Sequence, residues 1–257
     1  RNEELYAIVL PFNKMKIGIP EALSKGMYNY NLLSRITRNV RHINDFNKLP
    51  IPFLCIGTNI ENGKEVLLNK GNLAQAMIAS SAFPSLFSPV EIDGEILVDG
   101  GVVNNYPIEE VRKLGADIII GVDVQHDLLD RTQLKDATKI LIQITNLHST
   151  ERMKKNVSNT DIYIRPDITQ YSVISFDKGK EIITKGEEAT FAVFDDLKKL
   201  VGESAPYKKP KLVLISDSLK IKTIKVNPLK DYTKEYVYGK LRFKPKSKID
   251  YDDFLTG

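Results

Sequence analysis

The chain has 257 residues, a net charge of +4 and 42% hydrophobic residues, which fits one large or two small globular domains with a sizeable core. No apolar run reaches the roughly 18 residues that a membrane-spanning helix needs. The single cysteine, Cys55, excludes a disulfide within the chain, and the histidines His42, His126 and His148 lack the spacing of a zinc site.

In chain order, residues 21–41 carry apolar side chains at helical intervals, from Leu23 and Met27 to Val40, with Gly26 interrupting. Phe53–Ile60 and Glu65–Leu68 read as two strands joined through Glu61-Asn62-Gly63. Cys55 lies in the apolar run of the first, as a small buried hydrophobe. Asn72 is placed to cap a helix over Leu73–Ser81, which Pro84 ends. A hairpin over 89–98 turns at Asp93-Gly94. Pro107 opens and Gly115 closes a short helix at Ile108–Leu114. The nearly all-apolar Asp117-Ile118-Ile119-Ile120-Gly121-Val122-Asp123 is the pattern of a strand covered on both faces. Helices over roughly 134–155 and 178–201 flank a strand at Asp161–Arg165. The alternation predicts a mostly parallel sheet with helices on both sides.

The most informative stretch is Glu95-Ile96-Leu97-Val98-Asp99-Gly100-Gly101-Val102-Val103-Asn104-Asn105-Tyr106-Pro107. A short apolar strand delivers a carboxylate to a point where two glycines follow, and glycine lets a backbone or ligand come close. Asp-Gly is also a common hairpin turn, but Asp93-Gly94 already serves that purpose six residues earlier. Asp99 is therefore the candidate acid–base residue. Gly100 and Gly101 keep bulk away from its reaction partner, and Asn104 and Asn105 hold the turn through side-chain hydrogen bonds.

Together with Leu49-Pro50-Ile51-Pro52-Phe53, Gly57-Thr58-Asn59, Gly63-Lys64-Glu65-Val66 and Ala79-Ser80-Ser81-Ala82-Phe83-Pro84, this stretch resembles the patatin-like phospholipases in order and spacing over residues ~50 to ~125. The resemblance implies a three-layer α/β/α hydrolase fold with a serine–aspartate dyad, no metal or cofactor, and a phospholipid or other lipid ester as substrate. Asp99 matches the aspartate of that family's D-G-[GA] motif. The family's serine stands in a G-x-S-x-G turn, where nearby backbone N–H groups take the oxyanion charge. No serine here has glycines at both −2 and +2; the nearest, Ser204 in Gly202-Glu203-Ser204-Ala205-Pro206, reads as a linker serine. The expectation is a C-terminal portion of a hydrolase domain whose nucleophile lies on a preceding segment, so that these 257 residues alone are inactive.

Charge divides the chain. Residues 207–257 hold 13 Lys/Arg against 6 Asp/Glu, and the first 206 hold 24 against 27. Such asymmetry marks separate modules: 1–201 as the hydrolase part, 202–211 as linker and 212–257 as a small α+β module. Lysine runs there suit an anionic lipid surface or solvated strand edges, and no nucleic-acid motif accompanies them. Leu219–Val226 alternates with period two, Tyr232–Leu241 suits a helix, and Ile249–Phe254 starts a second. This strand–helix–helix opening resembles a POTRA domain. That likeness implies an outer-membrane location and a C-terminal barrel as partner; without it, a cytoplasmic enzyme with an unrelated extension is the alternative. A catalytically inactive scaffold that binds lipid or a partner is a further alternative.

Overall fold

The computed structural model describes residues 12–13, 16–17, 22–135, 137–172, 175–201, 217–227 and 232–256. They form a mixed α/β structure. Two short strands, β1 (Phe12–Asn13) and β2 (Lys16–Ile17), pair antiparallel. Helix α1 (Met27–Ile36) then begins at Gly26, whose φ of 72° marks the start of the helix instead of interrupting it. A single 3-10 turn at Arg38–Val40 completes the helical stretch.

Among the described residues the main sheet has four strands in the order β4 (Glu65–Leu68), β3 (Cys55–Asn59), β6 (Glu95–Asp99), β5 (Val90–Ile92), all antiparallel. Here the structure departs from the mostly parallel arrangement expected. The reason is connection length: β3–β4 and β5–β6 are joined by tight turns, and such turns can only reverse the chain. Gly63 (φ 68°) serves the first, and Asp93 (φ 53°) with Gly94 (φ 83°) the second. Only β7 (Ile120–Val122) and β8 (Ile162–Ile164) run parallel among the described strands, because helix α4 (Ala137–Ser158) supplies the long crossover that parallel pairing demands.

Helix α2 (Leu73–Ser80) lies on the main sheet. Asn72 caps it, its Oδ1 accepting from the Gln75 N–H at 3.0 Å. Its buried face is Ala74, Ala76 and Ala79, small enough to bring the helix close to the strands. Beneath it Phe46, Leu49, Leu68 and Leu97 close the first core, with Phe53, Val66 and Val90 at the margin. Cys55 is half-buried against this core. Burial raises its thiol to about 11, so it acts as an inert apolar side chain. The second core joins Tyr106, Ile108 of helix α3 (Ile108–Lys113) and Ile119 to Met153 and Val157 of α4 and Tyr163 of β8.

One expectation fails on β7. Ile118, Ile120, Val122 and Val124 point alternately to the same side and are each about half exposed (48%, 51%, 52% and 60%). One face of this strand is thus uncovered among the described residues, where its sequence predicts cover on both. The helix expected over 178–201 is divided into α5 (Gly179–Ala192) and α6 (Phe194–Val201), with Val193 between them.

The linker 202–211, with Ser204, lies outside the described residues. Beyond it come β9 (Ser218–Lys220), α7 (Lys234–Lys240), β10 (Lys248–Asp250) and α8 (Tyr251–Thr256). The order is strand–helix–strand–helix, not strand–helix–helix: Ile249 and Asp250 pair antiparallel with Leu219 and Ser218 before α8 begins. β10 has only three residues, so the period-two stretch 219–226 is a strand only where that partner reaches. Among the described residues, this module does not join the main sheet. It meets α1 through Tyr251, whose hydroxyl donates to the Ser34 carbonyl at 3.4 Å and whose ring lies under the guanidinium of Arg41, beyond the helix, at 4.7 Å.

Candidate active site

Asp99 is the last residue of β6, which runs between β3 and β5. Its backbone is held from two sides. Its N–H donates to the Ala82 carbonyl at 3.0 Å, and its own carbonyl accepts the Thr58 hydroxyl at 2.8 Å. The side chain caps a 3-10 turn at Gly100–Val102, with Oδ1 accepting from the Gly101 N–H at 2.7 Å.

The two glycines are required for close approach, not for positive φ. A Cβ on Gly100 would stand 2.2 Å from the Ile56 carbonyl oxygen, and one on Gly101 would stand 2.7 Å from Asn105 Oδ1. Main chain of β3 thus fills the space that any other residue at position 100 would need.

The Asp99 side chain faces a cleft of about 160 Å³. Phe83, Val102, Val124 and Ile142 give it apolar walls, and His126 and Asn146 stand among its polar groups. His126, whose sequence setting suits a solvated loop or a cleft wall, is half-buried in this wall. Burial pushes the Asp99 carboxyl above its ordinary 3.8, and the Gly101 N–H bond counters only part of that rise. A half-buried carboxylate with a raised proton affinity and an open side is suited to accept and return a proton.

The asparagines of the turn make side-chain hydrogen bonds, and their partners lie on other elements. Asn104 is buried (3% exposed), and its amide donates to Glu65 Oε2 and Glu110 Oε2, each at 3.2 Å. Exposed Asn105 donates to Gln125 Oε1 at 3.1 Å. Both tie the turn to neighbouring elements instead of bonding within it.

Several supporting residues escape sequence reasoning. Gln125 receives Asn105, donates to Ser149 Oγ of α4 at 3.0 Å, and its N–H bonds Asp123 Oδ1 at 2.8 Å. Asp123 is buried, accepts the Tyr163 hydroxyl and stands 3.7 Å from Arg165. Desolvation, then the bond to Asp123, raises the Tyr163 hydroxyl to about 12, so it remains a donor. Arg152 of α4 bridges Glu65 and Glu110 at 2.6 and 3.0 Å. Apart from the local Gln125–Asp123 bond, the partners of these side chains lie 20 to 87 residues away in the chain, beyond any local pattern. No group of three or more His, Cys, Asp or Glu able to hold a metal occurs among the described residues.

Residues 20–112 match the model of the Patatin-like phospholipase family. An uncharacterised NTE family protein of Mycobacterium tuberculosis is 36% identical over 77 residues, covering 30% of this chain and 21% of that protein. Patatin-like phospholipase domain-containing protein 7 of Mus musculus is 28% identical over 172 residues, covering 56% and 13%. Lysophospholipase NTE1 of Saccharomyces cerevisiae is 27% identical over 163 residues, covering 53% and 10%. The chain therefore spans between 10% and 21% of the length of these relatives.

Proposed function

We propose that these residues supply the acid half of a lipid acyl hydrolase that uses a serine–aspartate dyad, with Asp99 as the general base. The carrying observation is the placement of Asp99: a fixed, half-buried carboxylate at the end of a central strand, opening on a cleft with apolar walls. The patatin-like stretch and the names of the yeast and mouse relatives support a phospholipid or lysophospholipid ester as substrate.

In this reading Asp99 accepts the proton of a serine as it attacks the ester carbonyl. It returns that proton to the leaving alcohol, and water then releases the acyl group by the same route reversed. The serine comes from a part of the protein outside these 257 residues, since none here stands in a G-x-S-x-G turn. The uncovered apolar face of β7 supports this, because it ends at Val124 in the wall of the Asp99 cleft. An element packed there would lie beside the carboxylate. The charge of residues 207–257, 13 Lys/Arg against 6 Asp/Glu, supports an anionic lipid as partner.

The test is hydrolysis of a short-chain p-nitrophenyl ester and a lysophospholipid by the full-length protein, with Asp99→Asn alongside. The substitution should lower kcat by about two to four orders of magnitude, the range for losing a general base. Full activity in the variant overturns the reading. An inert full-length wild type would turn it toward a lipid-binding scaffold.

A further inference from the structure

We propose that Arg152 is a positioning residue for the Asp99 turn, acting through Asn104. This rests on the reading of Asp99 as general base. Arg152 stands on α4 and does not line the Asp99 cleft. Its guanidinium forks between two carboxylates on different elements, Glu65 Oε2 on β4 at 2.6 Å and Glu110 Oε1 on α3 at 3.0 Å. Both carboxylates also accept from the Asn104 amide. Asn104 in turn closes the catalytic loop, its N–H donating to the Gly100 carbonyl at 2.8 Å.

Charge explains why the arginine is needed. Two carboxylates converge on one neutral amide, with Asn104 and Glu110 buried at 3% and 8% exposure. Without a cation they repel, and one must swing away. That movement takes an acceptor from Asn104, which then has no reason to hold its place. Arg152 neutralises the pair through a rigid two-pronged contact that a lysine would not reproduce. Glu65 also pairs across β3–β4 with Thr58, the residue that holds the Asp99 carbonyl. The same carboxylate thus connects both anchors of the turn.

The consequence is geometric. Asp99 is aimed by the Gly101 N–H, and that N–H stays in line only while the loop from Gly100 to Asn104 keeps its shape. Misplacing a catalytic group by about 1 Å costs on the order of 10²-fold in rate. Arg152→Met in the full-length protein should lower kcat about 10- to 100-fold per serine titrated by a fluorophosphonate, and leave KM within about twofold. The acid limb of the kcat/KM profile should move upward, because the Gly101 N–H bond that favours the ionised form is weakened. Glu65→Gln/Arg152→Gln, which removes one anion with the cation, should recover part of kcat.

Amide hydrogen exchange gives a readout independent of activity: the Gly101 N–H should exchange faster in Arg152→Met. If that variant does not fold, Arg152→Lys takes its place, with a smaller change of the same sign in kcat and exchange. A folded Arg152 variant with unchanged kcat, acid limb and Gly101 exchange, beside an inactive Asp99→Asn, overturns the proposal while the functional reading stands. An active Asp99→Asn overturns both.

Discussion

Thr58 holds Asp99 by its main chain: the hydroxyl of a buried β3 threonine donates to the Asp99 carbonyl at 2.8 Å, where β6 ends and the glycine turn begins. The bond fixes where the strand stops without touching the carboxylate. Replacing Thr58 with valine keeps the shape and deletes the donor. We expect a loss of about 1–3 kcal/mol of stability, the usual result of leaving a buried polar group unpaired. Activity should fall as well, because the turn loses one of its anchors. Urea unfolding and ester hydrolysis of Thr58→Val check both, and an unchanged midpoint would show that the bond carries no weight.

The raised proton affinity of Asp99 sets a pH signature whose sign can be worked out. The folded protein binds this proton more tightly than the unfolded chain, whose value is near 3.8. Between 3.8 and the raised folded value, stability therefore falls as pH rises, and the deficit persists above that window. Asp99→Asn keeps an acceptor for the Gly101 N–H and carries no charge. It should be more stable than the wild type at neutral pH and lose that advantage below 3.8. Activity runs the other way: the base must be ionised, so the rate should rise through a limb above the ordinary carboxylate range. Denaturation midpoints of the two proteins at neutral and acid pH decide the matter; a variant less stable at neutral pH would contradict the burial argument.

Much of this was legible from local pattern. The Asn72 cap, the Asp93-Gly94 hairpin, Pro107 and Gly115 around α3, and Asp99 at a strand end all depend on residues adjacent in sequence. Strand direction was less legible, because alternating strands and helices suggest parallel pairing, while β3 and β6, far apart in the chain, pair antiparallel. The uncovered face of β7 was hidden for a related reason: an apolar run states what a strand needs covered, not whether cover is at hand. The supports of the turn were invisible. Arg152 reads as one more charge on a long helix until the fold brings Glu65 and Glu110 to it.

Gly100 gives a sharp stability test. The 2.2 Å separation between a Cβ at this position and the Ile56 carbonyl oxygen involves main chain on both sides, so no side-chain rotation relieves it. Gly100→Ala should cost about 1–3 kcal/mol or more, as overpacking does, and separate β3 from the Asp99 turn. Gly179→Ala is the control, since a Cβ there meets nothing within 4 Å and its φ is −53°. Thermal unfolding of the two should differ by several degrees; equal melting would mean that β3 and the turn can move apart freely.

The C-terminal module is held on α1 by one aromatic contact more than by its ion pairs. Arg35–Asp252 at 3.0 Å and Arg38–Asp217 at 3.6 Å join exposed side chains, and such pairs contribute about 0–1 kcal/mol each. Tyr251 is 9% exposed, lies under the Arg41 guanidinium and donates its hydroxyl to the Ser34 carbonyl at 3.4 Å. Burying such a ring is worth about 1.5–3 kcal/mol, with a cation–π contribution added. Tyr251→Ala should therefore release the module, whereas about 1 M salt, which screens the exposed pairs, should leave it docked. Hydrogen exchange over residues 27–36 reads the outcome: faster in the variant, little changed by salt. Ester hydrolysis by the full-length variant should hold, because the cleft is lined by residues between 83 and 146. Release by salt alone would reverse the ranking and make the ion pairs the hold.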